Sequence, residues 1–345
     1  MKFQKKVLGQ MERCYAVEVM KHRGENCVFF ATEGKNGGCI AVNTKNWNDI
    51  DKIWEEPGGT MSMVPLDEKR GFLAIQKFYR LYDWEEAELV WCRPEGKEAF
   101  QVKTLFRLPY IHRFDVLKRN GEEYLICCTL AAHKKERADW SQPGGVYVAQ
   151  LPKDLNKPVI LNKLNLNIYQ NHGFTKKEKN GHDAAFIGGR EGIFCVEPPQ
   201  GTEENWTITK VFGKPVSDMD WIDIDGDGQL ELATIEEFHG CYYRIYKQTE
   251  NGFKQVFQHP EVSEFYHVVK SGILLKQPVF LGGCRRGRQQ LFAIGYKNGD
   301  FQIHTIEEGV GPSNALIYNG PDGDFVCSAN REIGEAAVYL AVKEN

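Results

Sequence analysis

Carboxylates recur at alternate positions in the stretch DIDGDGQLE, as Asp223, Asp225 and Asp227, followed by Gly228 and Glu231. A hard divalent cation such as Ca2+ or Mg2+ gathers several oxygen ligands at once, and a glycine lets the loop turn tightly around it. A helix–loop–helix calcium loop would end on Glu, but Thr234 stands in that place here. The flanks MDWI and LELATI are β-branched and apolar. The expectation is a metal-braced β-hairpin in which Asp223, Asp225, Asp227 and Glu231 hold a structural cation. Histidine supplies a second chemistry. Imidazole is the commonest neutral nitrogen ligand for zinc and its neighbours. His112, His172, His239 and His267 are therefore candidate ligands for a transition metal, provided the strands that carry them converge.

The pattern of strands says how they would converge. The chain is nearly all short strands with Gly, Asn and Asp turns, and no convincing amphipathic helix interrupts them. One unit recurs. In its third copy IHRFDVL leads to the turn KRNGEE, then YLICCTL, the loop AAHKKERADWSQPGG, VYVAQL and VILNKLNL. The lead positions Arg13, Met61, His112, His172, Asp218, His267 and Asn314 recur roughly every fifty residues, the period of a four-stranded propeller blade. The last unit lacks its fourth strand, and a spare strand, KFQKKVL, stands at the N-terminus. The expected fold is all-β: a seven-bladed β-propeller closed by the N-terminal strand, as one domain spanning residues 1–345. A large β-sandwich or two smaller β domains is the alternative.

In a blade, the start of the first strand and the loop between the second and third strands share one face. Sorted by that rule, His112, Arg113, Asn171, His172, His267 and Asn314 fall at first-strand starts. Arg80, His133, Arg190, His239, Arg285, Arg286, Arg288, Asn330, Arg331 and Glu335 fall in the loops of the same face. The acidic hairpin falls on the other face, which suits a structural cation. His22, His182, His259 and His304 fall in turns or outer strands and read as surface or packing residues.

Composition narrows the partners. The 43 basic and 47 acidic residues are well mixed, for a net charge of −4, so no basic stripe points to nucleic acid. No run of apolar residues is long enough to span a membrane, and MKFQKKVLGQMERC has no apolar core of signal-peptide length. The ten cysteines form no CxxC pair and many sit in apolar runs, as free thiols do in a reducing compartment. A cytoplasmic protein without membrane or nucleic-acid partners is expected.

A family resemblance appears at these residues. HRFDV at His112, NHGF at His172, EEFHG at His239, YHVV at His267, GVGPSN at Gly309 to Asn314 and SANREIGEAAVYL at Ser328 to Leu340 resemble the propeller domain of aldos-2-ulose dehydratases, also called 1,5-anhydrofructose dehydratases. The likeness runs from GGTMSMV near Gly58 to the C-terminus, and the acidic hairpin resembles the loops of FG-GAP/VCBS propellers. It implies a metal-dependent carbohydrate lyase acting on a keto-sugar, with zinc among His112, His172, His239 and His267 and Ca2+ or Mg2+ in the acidic loop. Either 1,5-anhydrofructose or a 3-keto-glycoside would serve as substrate, by dehydration or β-elimination. A zinc ion would polarise the ketone as a Lewis acid. His133 would take the proton, and Arg113 and Arg331 would hold hydroxyls or the oxyanion. The cupin and lectin-like domains of fungal members have no counterpart in this sequence. The alternative is a non-catalytic FG-GAP/VCBS-type propeller that serves as a binding scaffold.

Overall fold

The computed structural model describes residues 1–79, 84–96, 99–201 and 205–344. The described residues form antiparallel four-stranded sheets in seven blades, with one short 3-10 turn, Arg331–Ile333. The seven-bladed β-propeller expected from the repeat is the observed fold. The chain groups into two compact units, Met1–Gly58 with Asp218–Asn345, and Gly59–Ser217.

The first unit holds four blades. Their inner strands are Cys14–His22, Asp218–Ile222, Tyr266–Leu274 and Asn314–Gly320. The blade that begins at Asn314 takes its outer strand from the other end of the chain. Lys2–Gln10 runs antiparallel to Glu335–Val342, from Lys2 opposite Val342 to Gln10 opposite Glu335. Closure by the N-terminal strand is thus seen as expected, and it pairs a sheet edge that would otherwise stand open.

The second unit holds three blades, with inner strands Met63–Pro65, Ile111–Arg119 and Gly173–Lys179. Apart from Lys2–Gln10, the strands of each blade form an antiparallel meander in which each pairs with its sequence neighbour.

The cores lie between adjacent blades. Strand alternation sends one set of side chains to each sheet face, and both faces are covered. In the first unit Tyr243, Ile245, Phe280, Phe292 and Ile294 form one such layer. In the second, Leu117, Ile126, Val146, Ile187 and Val196 form another. Gly282 shows how closely sheets approach. A Cβ there would lie 2.2 Å from Phe292 and 2.9 Å from Tyr243, whose hydroxyl donates to the Leu281 carbonyl at 3.0 Å. All ten cysteines are free thiols, and all but Cys241 are buried, which fits their reading as small core hydrophobes.

A backbone device sets the loops of the first face. Just ahead of the inner strand one residue turns left-handed: Arg13, Phe265 and Gly311 in the first unit, and Gly59, Tyr110 and Gln170 in the second. The adjoining carbonyl then accepts the first or second N–H beyond the second strand. The pairs are Glu33 to Arg13, Arg285 to Phe265 and Glu332 to Gly311, at 3.0, 2.9 and 3.3 Å. In the second unit they are Phe78 to Gly59, Leu130 to Tyr110 and Arg190 to Tyr169, at 3.1, 2.9 and 2.9 Å. Each bond fixes where a blade presents the side chains of its loop.

Candidate functional site

In the second unit, inner-strand starts bring His112 and His172 together, with ring centroids 4.6 Å apart. Both are buried, and Phe78 meets His112 edge-on at 5.2 Å. His172 Nδ1 donates to the Ser217 carbonyl at 3.0 Å, which fixes its ring. Arg113 is buried too, and its Nη1 donates to the Met61 carbonyl at 3.4 Å. Asn171 Nδ2 donates to the Gly145 carbonyl at 3.3 Å. His133 lies apart in an exposed loop, 3.4 Å from Glu85 and edge-on to Tyr110. Arg190 stacks on Tyr169. Arg80 lies outside the described residues.

In the first unit, His267 is buried under Phe265, whose ring stacks on it at 5.8 Å. Its Nδ1 donates to the Ser313 carbonyl at 2.5 Å, because a carbonyl can only accept. The Tyr15 hydroxyl then faces Nε2 at 3.3 Å. A metal ion bound at that nitrogen would displace Tyr15. His239 lies between Phe238 and Phe265, at 4.0 and 4.3 Å, and 5.5 Å from His267. Asn314 donates to the Tyr15 carbonyl. Asn330 donates to Glu335 and to the Tyr339 hydroxyl, both at 2.8 Å.

The arginine loops of this unit form a chain of charges. Arg285 Nε and Nη2 reach the same Glu332 oxygen at 2.8 and 2.7 Å. Arg331 Nη1 shares that oxygen at 3.0 Å, and Arg331 Nε donates to Glu33 at 2.7 Å. Glu33, Arg285 and Glu332 each donate the N–H that bonds back ahead of the inner strand, within two positions of the end of the second strand in three blades. Burial pushes both guanidinium pKa values down, while Glu332 pushes them up. Arg286 and Arg288 remain mostly in solvent, opposite Glu264 and Glu261. Sequence reasoning had placed the arginines on this face. It missed that Glu33 and Glu332 neutralise two of them.

The acidic loop forms as a hairpin between Asp218–Ile222 and Glu231–Glu236. One ligand oxygen from each of Asp223, Asp225 and Asp227 falls within a 4.8 Å group, a spacing that suits one cation. Asp223 accepts the N–H groups of Gly226 and Gly228 at 2.7 and 2.9 Å. An internal cation already stands at the loop. Lys247 Nζ is 2.6 Å from Asp225, 2.6 Å from Asp227 and 3.5 Å from Glu231. The Lys247 ammonium holds the Asp227 carboxyl below its usual range, whereas burial pushes Glu231 up. Lys247 lies on the strand Tyr242–Thr249, beyond the motif, and no local spacing pointed to it.

No family model matches the chain, and no curated protein matches it in sequence. Solved structures do match. The β-propeller domain of Cps50 (Swd1) from Myceliophteria thermophila superposes with a TM-score of 0.63 at 10% identity, covering 98% of this chain and 100% of that one. The WD40 β-propeller domain of Doa1 gives 0.59 at 10% identity, covering 98% of each chain. Sqt1 from Saccharomyces cerevisiae gives 0.54 at 8% identity, covering 99% of each.

These likenesses establish the fold and correct the expected activity. The structural neighbours are WD40-like propellers, and nothing in the comparisons supports the aldos-2-ulose dehydratase family or FG-GAP/VCBS repeats. The keto-sugar lyase reading is therefore set aside. The geometry gives a physical reason. Arg331 is neutralised by Glu33 and Glu332, Arg113 is spent on a backbone carbonyl, and His133 sits in solvent against Glu85.

Proposed function

We propose that this chain is a non-catalytic propeller that binds a protein partner, using the loops of the first face in the unit Met1–Gly58 with Asp218–Asn345. The WD40-like architecture of its structural neighbours supports this reading. One observation carries it. Arg331, which sequence assigned to chemistry, and its neighbour Arg285 are neutralised within the protein, and a mixed apolar and cationic rim stands outside them. Val262 is 64% exposed and Ile333 43%. The side chains of Arg286 and Arg288 are 63% and 61% exposed. Ion pairs link the loops that carry them. Glu261 and Glu264 reach Arg288 and Arg286, and Glu332 reaches Arg285. Single exposed apolar residues are ordinary, but arginine beside apolar side chains is the enrichment found in partner interfaces.

The test is selection of a phage-displayed random peptide library on the purified protein. Selected peptides are expected to slow amide exchange in residues 259–265, 285–290 and 331–335. The variant carrying Val262→Ser, Arg288→Ser and Ile333→Ser is expected to lose most of that binding while remaining folded. Failure to select any peptide, or protection confined to the turns of the opposite face, would remove the proposal.

A further inference from the structure

The rim surrounds a guanidinium that is incompletely paired. Arg285 is 5% exposed. Its Nε and Nη2 both spend themselves on one Glu332 oxygen, and its Nη1 is buried with no hydrogen-bond partner among the described residues. A buried donor left unmade costs about 1–3 kcal/mol, and more when it carries charge. Glu332 is shared with Arg331, whose Nη1 meets the same oxygen at 3.0 Å. The Arg285 guanidinium lies over the Phe265 ring, 4.7 Å from its centroid. Arg286 approaches the same ring at 5.8 Å, and its Nη1 lies 3.6 Å from exposed Glu264. Phe265 itself has a φ of 67°, a left-handed backbone that a bulky aromatic residue rarely adopts. Its ring is thereby carried beside the arginines and His267.

On the partner-binding reading, we propose that Arg285, Phe265 and Arg286 form a carboxylate pocket for an aspartate or glutamate side chain of an acidic peptide in the partner. The entering carboxylate accepts from Arg285 Nη1 and from the movable Arg286, in place of the Glu264 contact. Charge supports the assignment. Two guanidinium groups share one ring; burial lowers the Arg285 pKa and the neighbouring Arg286 charge lowers it further, which an incoming anion relieves. Arginine rather than lysine suits the role, because its planar fork can hold Glu332 on one edge and a ligand on another.

The probe is a fluorescein-labelled peptide alternating Glu and Ser, with Gln–Ser and Lys–Ser peptides of equal length as controls, read by fluorescence polarisation. The Glu–Ser peptide is expected to bind at least about tenfold more tightly than either control. Arg285→Lys keeps the charge but loses the fork, and should weaken that binding roughly tenfold with little change in melting temperature. If Arg285→Lys does not fold, exposed Arg286→Gln decides, with an expected loss of about threefold or more. Equal affinity for Glu–Ser and Gln–Ser peptides, or undiminished affinity in folded Arg285→Lys, overturns the pocket. Peptides selected from the random library that bind while Glu–Ser does not would remove the carboxylate pocket and keep the binding module. Absence of binding by either set removes both.

Discussion

Replacing Lys247 with methionine tests what neutralises the acidic loop. The methionine keeps most of the stem and deletes an ammonium that lies 2.6 Å from Asp225 and Asp227 and 3.5 Å from Glu231. Asp225 and Asp227 are near the surface, and water screens their loss. Glu231 is not, at 1% exposure. Its Oε2 keeps the Ile224 N–H at 3.0 Å, but Oε1 loses the cation it faces. Removing one partner of a fully buried pair costs about 3–5 kcal/mol, and exposed pairs contribute about 0–1. The open end of Lys247 places this case between them, at about 2 kcal/mol. For a chain of this size that is a fall of about 3 °C in melting temperature at pH 7, by scaning calorimetry in a chelator. The pH dependence follows from the sign of the Glu231 shift. Its folded pKa lies above the unfolded value, so protonation favours the fold, and the deficit should shrink as pH falls from 7 towards 4. We further propose that the loop takes Ca2+ or Mg2+ once the ammonium is gone, so millimolar Ca2+ should restore the variant more than it raises the natural protein. An unchanged melting temperature in the chelator would refute the reasoning, and a deficit indifferent to Ca2+ would refute the cation site.

Three further outcomes are expected. Deleting residues 2–9 removes the outer strand paired with Glu335–Val342, and light scattering should show aggregation from the opened edge. A monodisperse protein with unchanged melting would contradict that. His259 is buried beside Phe292 and accepts the Glu261 N–H at 3.3 Å, and burial lowers its pKa. The unfolded chain therefore binds the extra proton, so stability present above about pH 6.5 is lost as pH falls below it. Urea melts at pH 7.5 and 5.5 should show a smaller difference for His259→Phe than for the natural protein. Arg13→Gly removes a left-handed non-glycine residue, and chemical denaturation should show a gain of about 0.5–1 kcal/mol. A loss would mean that the Arg13 side chain is held more firmly than its 3.9 Å contact to Glu12 implies.

The propeller was legible because each blade repeats the same local choices. Apolar strands such as YLICCTL alternate with turns such as KRNG, and tight meanders need no long-range information to set their order. The spare KFQKKVL strand likewise announced where the sheet closes. The site was legible only as a list of residues on one face. Arg331 looked available for substrate because its partner Glu33 lies 298 positions away. His267 looked like a ligand because Tyr15 and Ser313, which orient it, are 252 and 46 positions distant. The acidic hairpin was found from spacing, but Lys247 joins it from the next strand, 22 positions after Asp225. Contacts between blades decide what a polar residue is free to do, and one sequence does not display them.

The left-handed residue ahead of the inner strand has a consequence for how such a face diversifies. The hydrogen bond that follows it belongs to the main chain, so it survives whether the residue is glycine, as at Gly59 and Gly311, or Arg13, Tyr110 and Phe265. Each of these six blades therefore offers a socket whose shape is independent of what is plugged into it. The cost of a side chain there is about 1–2 kcal/mol of local strain, paid separately in each blade. Recognition can then be rewritten blade by blade, with glycine as the blank setting and an aromatic or charged residue as the inscribed one.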